Sequence, residues 1–185
     1  MPARLSGDGG LNPTTAKIAP IATPNPPDWS ADTSSGLLNI INSSDGNNWS
    51  TVTNSINRYH LIQIIYAKNL FISVGYAGLI VTSSDSDTWT LQTSGTNQSL
   101  VSICYGDKLF VAVCESGTVI TSSDGTSWES QTSITSNTLK GVTYGNGKYV
   151  AVGGSGTIIS SSDGINWTSH SSGTTEEFKR VAYAE

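Results

Sequence analysis

YGDKLFVAVCESGTVITSSD, residues 105–124, decides how this chain is read. It opens on a tyrosine, crosses a short polar turn and runs through five apolar residues. It then breaks at a glycine, and a second apolar run leads to a serine pair and an aspartate. YAKNLFISVGYAGLIVTSSD (66–85) and YGNGKYVAVGGSGTIISSSD (144–163) have the same layout. Apolar, β-branched and aromatic runs bounded by turn residues predict strands. A fixed period that covers a whole unit predicts a repeat architecture, and periods near 40 residues with four strands each predict propeller blades or related β-arrays.

The unit closes on a heptad that recurs four times: SSDGNNW (43–49), SSDSDTW (83–89), SSDGTSW (122–128) and SSDGINW (161–167). Its aspartates Asp45, Asp85, Asp124 and Asp163 are spaced 40, 39 and 39 residues apart, as are the tryptophans Trp49, Trp89, Trp128 and Trp167. These residue types suit a closed turn. An aspartate accepts nearby backbone N–H groups, as in an Asx-turn. A following glycine (Gly46, Gly125, Gly164) adopts positive φ at little cost. The tryptophan covers the turn with its indole N–H free to find a carbonyl. A short polar strand follows each tryptophan, so the third unit reads as LVSICY, LFVAV, TVITSS and WESQT.

The array is incomplete at both ends. Before Asp45 only LLNIINSS matches a unit, as its third strand, and after Trp167 FKRVAYAE matches a first strand. The expected architecture is an all-β, propeller-like array of four-stranded blades, three of them full, plus one composite or incomplete blade. In one reading the two ends join in a composite blade that closes a four-bladed ring, and their complementary incompleteness favours it. In the other the chain is part of a longer array or of an assembly.

Two domains follow: an extended Pro-rich arm at 1–34 and the repeat domain at 35–185. All six prolines lie within the first 27 positions, and the repeats have none, as strands that donate ladder hydrogen bonds require. The arm reads either as a disordered leader or as a docking segment anchored by Ile18, Ile21 and Trp29.

The heptads resemble Asp-box repeats of the bacterial-neuraminidase type. The longer frame resembles repeats of photosystem II assembly-factor-like propellers and of phage and bacterial structural proteins, over residues 37–185. The resemblance implies that each heptad is the structural turn between the third and fourth strands of a blade, away from the usual ligand face. This sequence departs from the usual Ser-x-Asp-x-Gly-x-Thr-Trp pattern. Glycine follows aspartate directly, tryptophan comes one residue sooner, and Ser86 stands where the other copies have glycine.

Composition narrows the function. Charged residues make up 12% of the 185 and the net charge is −5, against about 25% charged residues in ordinary domains. No basic stripe points to nucleic acid, and no long apolar run points to membrane insertion. The N-terminus lacks the apolar segment of a secretory signal. Sialidases carry Asp-boxes too, but the chain has only Arg4, Arg58 and Arg180 to grip a carboxylate. Glu176 and Glu177 are adjacent, so on a strand they point to opposite faces and fail as a glycosidase pair. His60 and His170 stand alone, and Asp85 with Asp87 are too few ligands for Ca²⁺. Cys104 and Cys114, on either side of a hairpin turn at 106–108, read as free buried thiols. The expectation is a non-enzyme with no cofactor and no metal.

The primary functional reading is a virion component, such as a phage fibre, decoration or tail-associated protein, whose arm docks on the particle. Its partners are then virion or scaffold proteins, with homo-oligomerisation and a host surface glycan or receptor as further candidates. The alternative is a bacterial protein-binding scaffold or assembly-factor propeller, cytoplasmic or at the cell surface. A glycan-binding module is a third reading, with Tyr59, Tyr76 or Tyr149 stacking on sugars.

Overall fold

The computed structural model describes residues 40–43, 46–48, 50–52 and 60–184. The arm with Ile18, Ile21 and Trp29, the first-heptad residues Asp45 and Trp49, and Arg4, Arg58 and Tyr59 lie outside the described residues.

The described chain is all-β. β1 (Ile40–Asn42) and β2 (Ser50–Val52) form a two-stranded antiparallel sheet. The first blade is β3 (Leu61–Ala67), β4 (Leu70–Gly75), β5 (Ile80–Ser83) and β6 (Thr90–Gln92). The second is β7 (Leu100–Gly106), β8 (Leu109–Cys114), β9 (Val119–Ser122) and β10 (Glu129–Gln131). The third is β11 (Leu139–Gly145), β12 (Lys148–Gly153), β13 (Ile158–Ser161) and β14 (Thr168–His170). Each blade is a four-stranded antiparallel meander in sequence order.

The hairpins between first and second strands are two-residue loops with both central residues at positive φ: Lys68 (52°) and Asn69 (58°), Asp107 (41°) and Lys108 (67°), Asn146 (46°) and Gly147 (72°). Such a turn matches the right-handed twist of its strands. The register that it sets pairs Cys104 with Val111 and Cys114 with Leu100, so the two thiols are apart and free. Burial raises both thiol pKa values to about 12, with a further push on Cys114 from Glu115.

The core lies between blades. Ile72, Val74 and Ile80 of the first blade pack against Leu100, Ile103, Phe110 and Ile120 of the second. Val111, Val113 and Val119 of the second pack against Leu139, Val142, Tyr149 and Ile159 of the third. Alternate residues of β8 therefore face opposite neighbours, which is why LFVAV is apolar throughout: a strand covered on both faces needs no polar side. β7 lies against β3 on one side and β11 on the other. The fourth strands form the outer edge. They are three residues long, largely exposed and polar, as edges that must not recruit other strands are.

The ends of the array do not join within the described residues. β1 and β2 pair only with each other. Residues 178–184 sit in no ladder, so the expected final strand is absent. The fourth unit is thus incomplete rather than composite over the residues described.

Candidate functional site

Antiparallel order puts the first–second hairpins and the heptads at one end of every blade, and the second–third turns and interblade connections at the other. The two ends differ in what their side chains are committed to.

At the heptad end the first serine of each copy is the hub. Ser83, Ser122 and Ser161 are 3%, 3% and 4% exposed. Each Oγ accepts the backbone N–H three residues on, at 2.8 Å in all three, and donates to the aspartate carboxylate at 2.9–3.0 Å. Ser43 accepts from Gly46 in the same way at 2.8 Å. Asp85 Oδ1 accepts N–H from Asp87 (2.8 Å) and Thr88 (2.7 Å), and Asp124 and Asp163 accept from the equivalent residues. The backbone donors hold the Asp85 and Asp124 carboxyls well below the usual carboxylate range. At Asp163 the Asn166 side-chain amide leads, followed by the same kind of backbone bonds. The indole Nε1 of Trp89, Trp128 and Trp167 donates to the carbonyl three residues back at 3.0–3.1 Å. Each indole also ends an aromatic row within its blade: Tyr66–Phe71–Trp89, Tyr105–Phe110–Trp128 and Tyr144–Tyr149–Trp167.

Neighbouring units tie this end further. Lys68 Nζ donates to Ser123 O across the first blade boundary at 3.0 Å, and the Tyr149 hydroxyl donates to Gly106 O across the second. Asn42 Nδ2 reaches Ser86 Oγ (3.3 Å) and Asp87 Oδ1 (2.5 Å). A Cβ on Gly164 would come within 2.8 Å of Leu109 and 3.2 Å of Val111. The heptad glycine therefore serves both a positive φ and the packing of the preceding blade.

At the opposite end each second–third turn places one exposed residue in the left-handed region, Ala77 (φ 53°), Ser116 (63°) and Ser155 (54°). The next residue is a glycine, because a Cβ there would lie about 2 Å from the carbonyl of Thr96, Thr135 or Thr174 in the outgoing connection. The incoming connection is bonded as well, through Tyr76 N to His60 O (3.0 Å), Glu115 N to Ser99 O (3.1 Å) and Gly154 N to Thr138 O (2.9 Å). The connections carry a second repeated motif that the sequence reading missed. Ser94, Ser133 and Ser172 each donate to the carbonyl two residues on, at 2.5–3.0 Å. Thr96, Thr135 and Thr174 each accept an N–H from two residues on, at 3.1 Å. Its signal was a Ser-x-Thr at the repeat period, hidden in a Ser/Thr-rich chain.

Two open grooves flank these connections. One, about 650 Å³, lies between the 76–78 turn and residues 91–98. The other, about 770 Å³, lies between the 155–157 turn and residues 169–175, with Ile134 on its rim. Leu91 (57% exposed) lines the first, Ile134 (44%) the second, and Tyr76 (48%) stands beside the first.

The remaining candidates are scattered. Tyr149 is fully buried and unavailable for stacking on a sugar, whereas Tyr76 is exposed. His60 meets the Tyr76 ring edge-on at 5.6 Å, and His170 bonds Ser160 at 2.7 Å. Glu176 and Glu177 fall in a connection and not on a strand; Glu177 pairs with Lys140 at 3.8 Å. Among the described residues no group of three metal-ligating side chains converges, and Arg180 is the one arginine.

No family model matches the chain, and no curated protein matches it significantly. Its fold is shared with solved β-propellers. YCF48 bound to a D1 peptide superposes with a TM-score of 0.60 and 18% identity, over 77% of this chain and 50% of that one. YCF48 from Cyanidioschyzon merolae gives 0.56 and 14%, over 78% and 53%. An ancestral GH74 enzyme gives 0.59 and 17%, over 85% of this chain and 23% of the enzyme. The chain thus spans about half the length of the YCF48 chains and under a quarter of the enzyme. At these identities the likeness is one of fold.

Proposed function

We propose that this chain is a non-catalytic, protein-binding propeller-type scaffold that presents its groove end to a partner. The observation that carries the reading is the contrast between its two ends. The heptad end spends its hydrogen-bonding groups on its own turns and on neighbouring blades. The groove end leaves Tyr76, Leu91 and Ile134 exposed beside open grooves. Exposed aromatic and aliphatic side chains within a polar rim suit protein recognition. In this reading the heptads are structural turns of the Asp-box type, and Asp85, Asp124 and Asp163 hold low pKa values for turn closure and not for proton transfer. The thiols, with pKa values near 12, are poor nucleophiles at neutral pH.

Of the solved neighbours, YCF48 with its bound D1 peptide supports the scaffold reading, while fold likeness to a glycoside hydrolase carries no active site with it. The virion reading rests on the arm and the repeat frame as sequence, and the arm as docking element belongs to that version of the proposal.

The test is photo-crosslinking from a reactive amino acid placed at position 91 or 134, compared with one at position 165 on the heptad end. A specific protein adduct from positions 91 and 134 alone is the expected result. Equal capture from position 165, or hydrolysis of a panel of polysaccharides and aryl glycosides by the purified chain, would overturn the reading.

A further inference from the structure

The outward face of the third blade is an interblade interface whose second side is only partly filled. Between the second and third blades Val111 and Val119 are 0% and 1% exposed. Their repeat counterparts on the third blade, Val150 and Ile158, are only half-buried. What covers that face is the segment 178–184. Tyr183 lies over Gly145 as Tyr144 lies over Gly106, each ring 2.0 Å from where a Cβ would stand. Gly141 packs within 3.4 Å of the Lys179–Val181 backbone, and Phe178 N donates to Gly153 O at 3.0 Å. The segment therefore occupies the place of a first strand. The three real first strands each pair with a second strand, whereas no described strand pairs with this one.

We infer that the outer edge of residues 178–184 is an acceptor for one extended segment supplied in trans, added as a second strand by main-chain pairing. The two internal interfaces specify its side chains. Tyr105 meets Phe110 at 4.6 Å and Tyr144 meets Tyr149 at 4.6 Å, so Tyr183, 47% exposed, calls for an aromatic opposite it. The residues after Phe110 and Tyr149 are Val-Ala-Val in both strands, with Ala112 and Ala151 fully buried. The occupant is thus an aromatic–valine–small–valine segment with a free N–H at alternate positions. This surface shares no residue with the grooves, so its failure leaves the scaffold reading standing.

The experiment uses the 185-residue chain and a fluorescent peptide of its own second strand, GKYVAVGG (147–154). Saturable binding by polarisation is expected. It should weaken by at least about tenfold in a peptide with proline in place of the first valine, which clashes with a paired strand, and in a Tyr183→Ala chain. Absence of saturable binding, or equal binding by the proline peptide or by Tyr183→Ala, would overturn the inference. So would a chain that forms a stable dimer and takes no peptide, since the occupant would then be a second copy.

Discussion

The turn of the first blade and the turn of the third blade make the same hydrogen bonds with different residues at one position. Ser86 and Gly164 both sit in the left-handed region, at φ 68° and 75°. Both are buried, and both donate N–H to the first serine of the heptad at 2.8 Å. What differs is the neighbour. Gly164 faces Leu109 and Val111 of a complete blade, while Ser86 faces Asn42, whose amide meets its hydroxyl. The turn alone tolerates a serine, and the glycine is required where a full apolar blade closes against it.

The largest expected effect tests that distinction. Gly164→Ser adds left-handed strain and a side chain against Leu109 and Val111, and should cost about 2–3 kcal/mol, read as a lower denaturant midpoint. A loss below about 0.5 kcal/mol would mean that the neighbour does not matter. Next, Ser83→Ala and Ser161→Ala should each cost about 1–3 kcal/mol, because each leaves a buried N–H unsatisfied. If the two turns are alike, the two losses agree, and clearly unequal losses would break the comparison. Acid gives a gentler probe common to both. Asp85, Asp124 and Asp163 have folded pKa values below the unfolded value. Their contribution is therefore complete above about pH 3.9 and is lost as pH falls from there through the folded values. A thermal midpoint that falls below pH 4, less steeply in a chain with all three changed to Asn, is the expected record. The smallest effect is Ser86→Gly, which relieves strain but gives up the Asn42 bond and should shift stability by less than about 1 kcal/mol.

Much of the fold was legible because the unit repeats in apolar pattern and turn chemistry together. The four strands of each full unit fall where the runs of Val, Ile, Phe and Tyr put them, and the two-residue hairpins fall at KN, DK and NG. The hub role of Ser83, Ser122 and Ser161 was less legible, because serine is abundant here and its burial depends on the strand end behind it. The Ser-x-Thr connections were hidden for the same reason. The ends failed for a different reason. LLNIINSS and FKRVAYAE carry strand-like pattern, but strand status is a property of pairs: 178–184 has the side chains of a first strand and no partner. Burial at Tyr149 against exposure at Tyr76 could not be read either, since it depends on which side of a blade boundary each ring meets.

Every ladder in the full blades joins strands that are consecutive in sequence. The chain segments that must close to form one are therefore short, so little loop entropy opposes each pairing. A single blade's worth of chain can zip its own hairpins before any neighbour exists, and docking of adjacent blades then adds stability one boundary at a time. Folding should consequently have no single obligatory starting point. The middle blade, with neighbours on both sides, should exchange its amide protons last, and the two ends first.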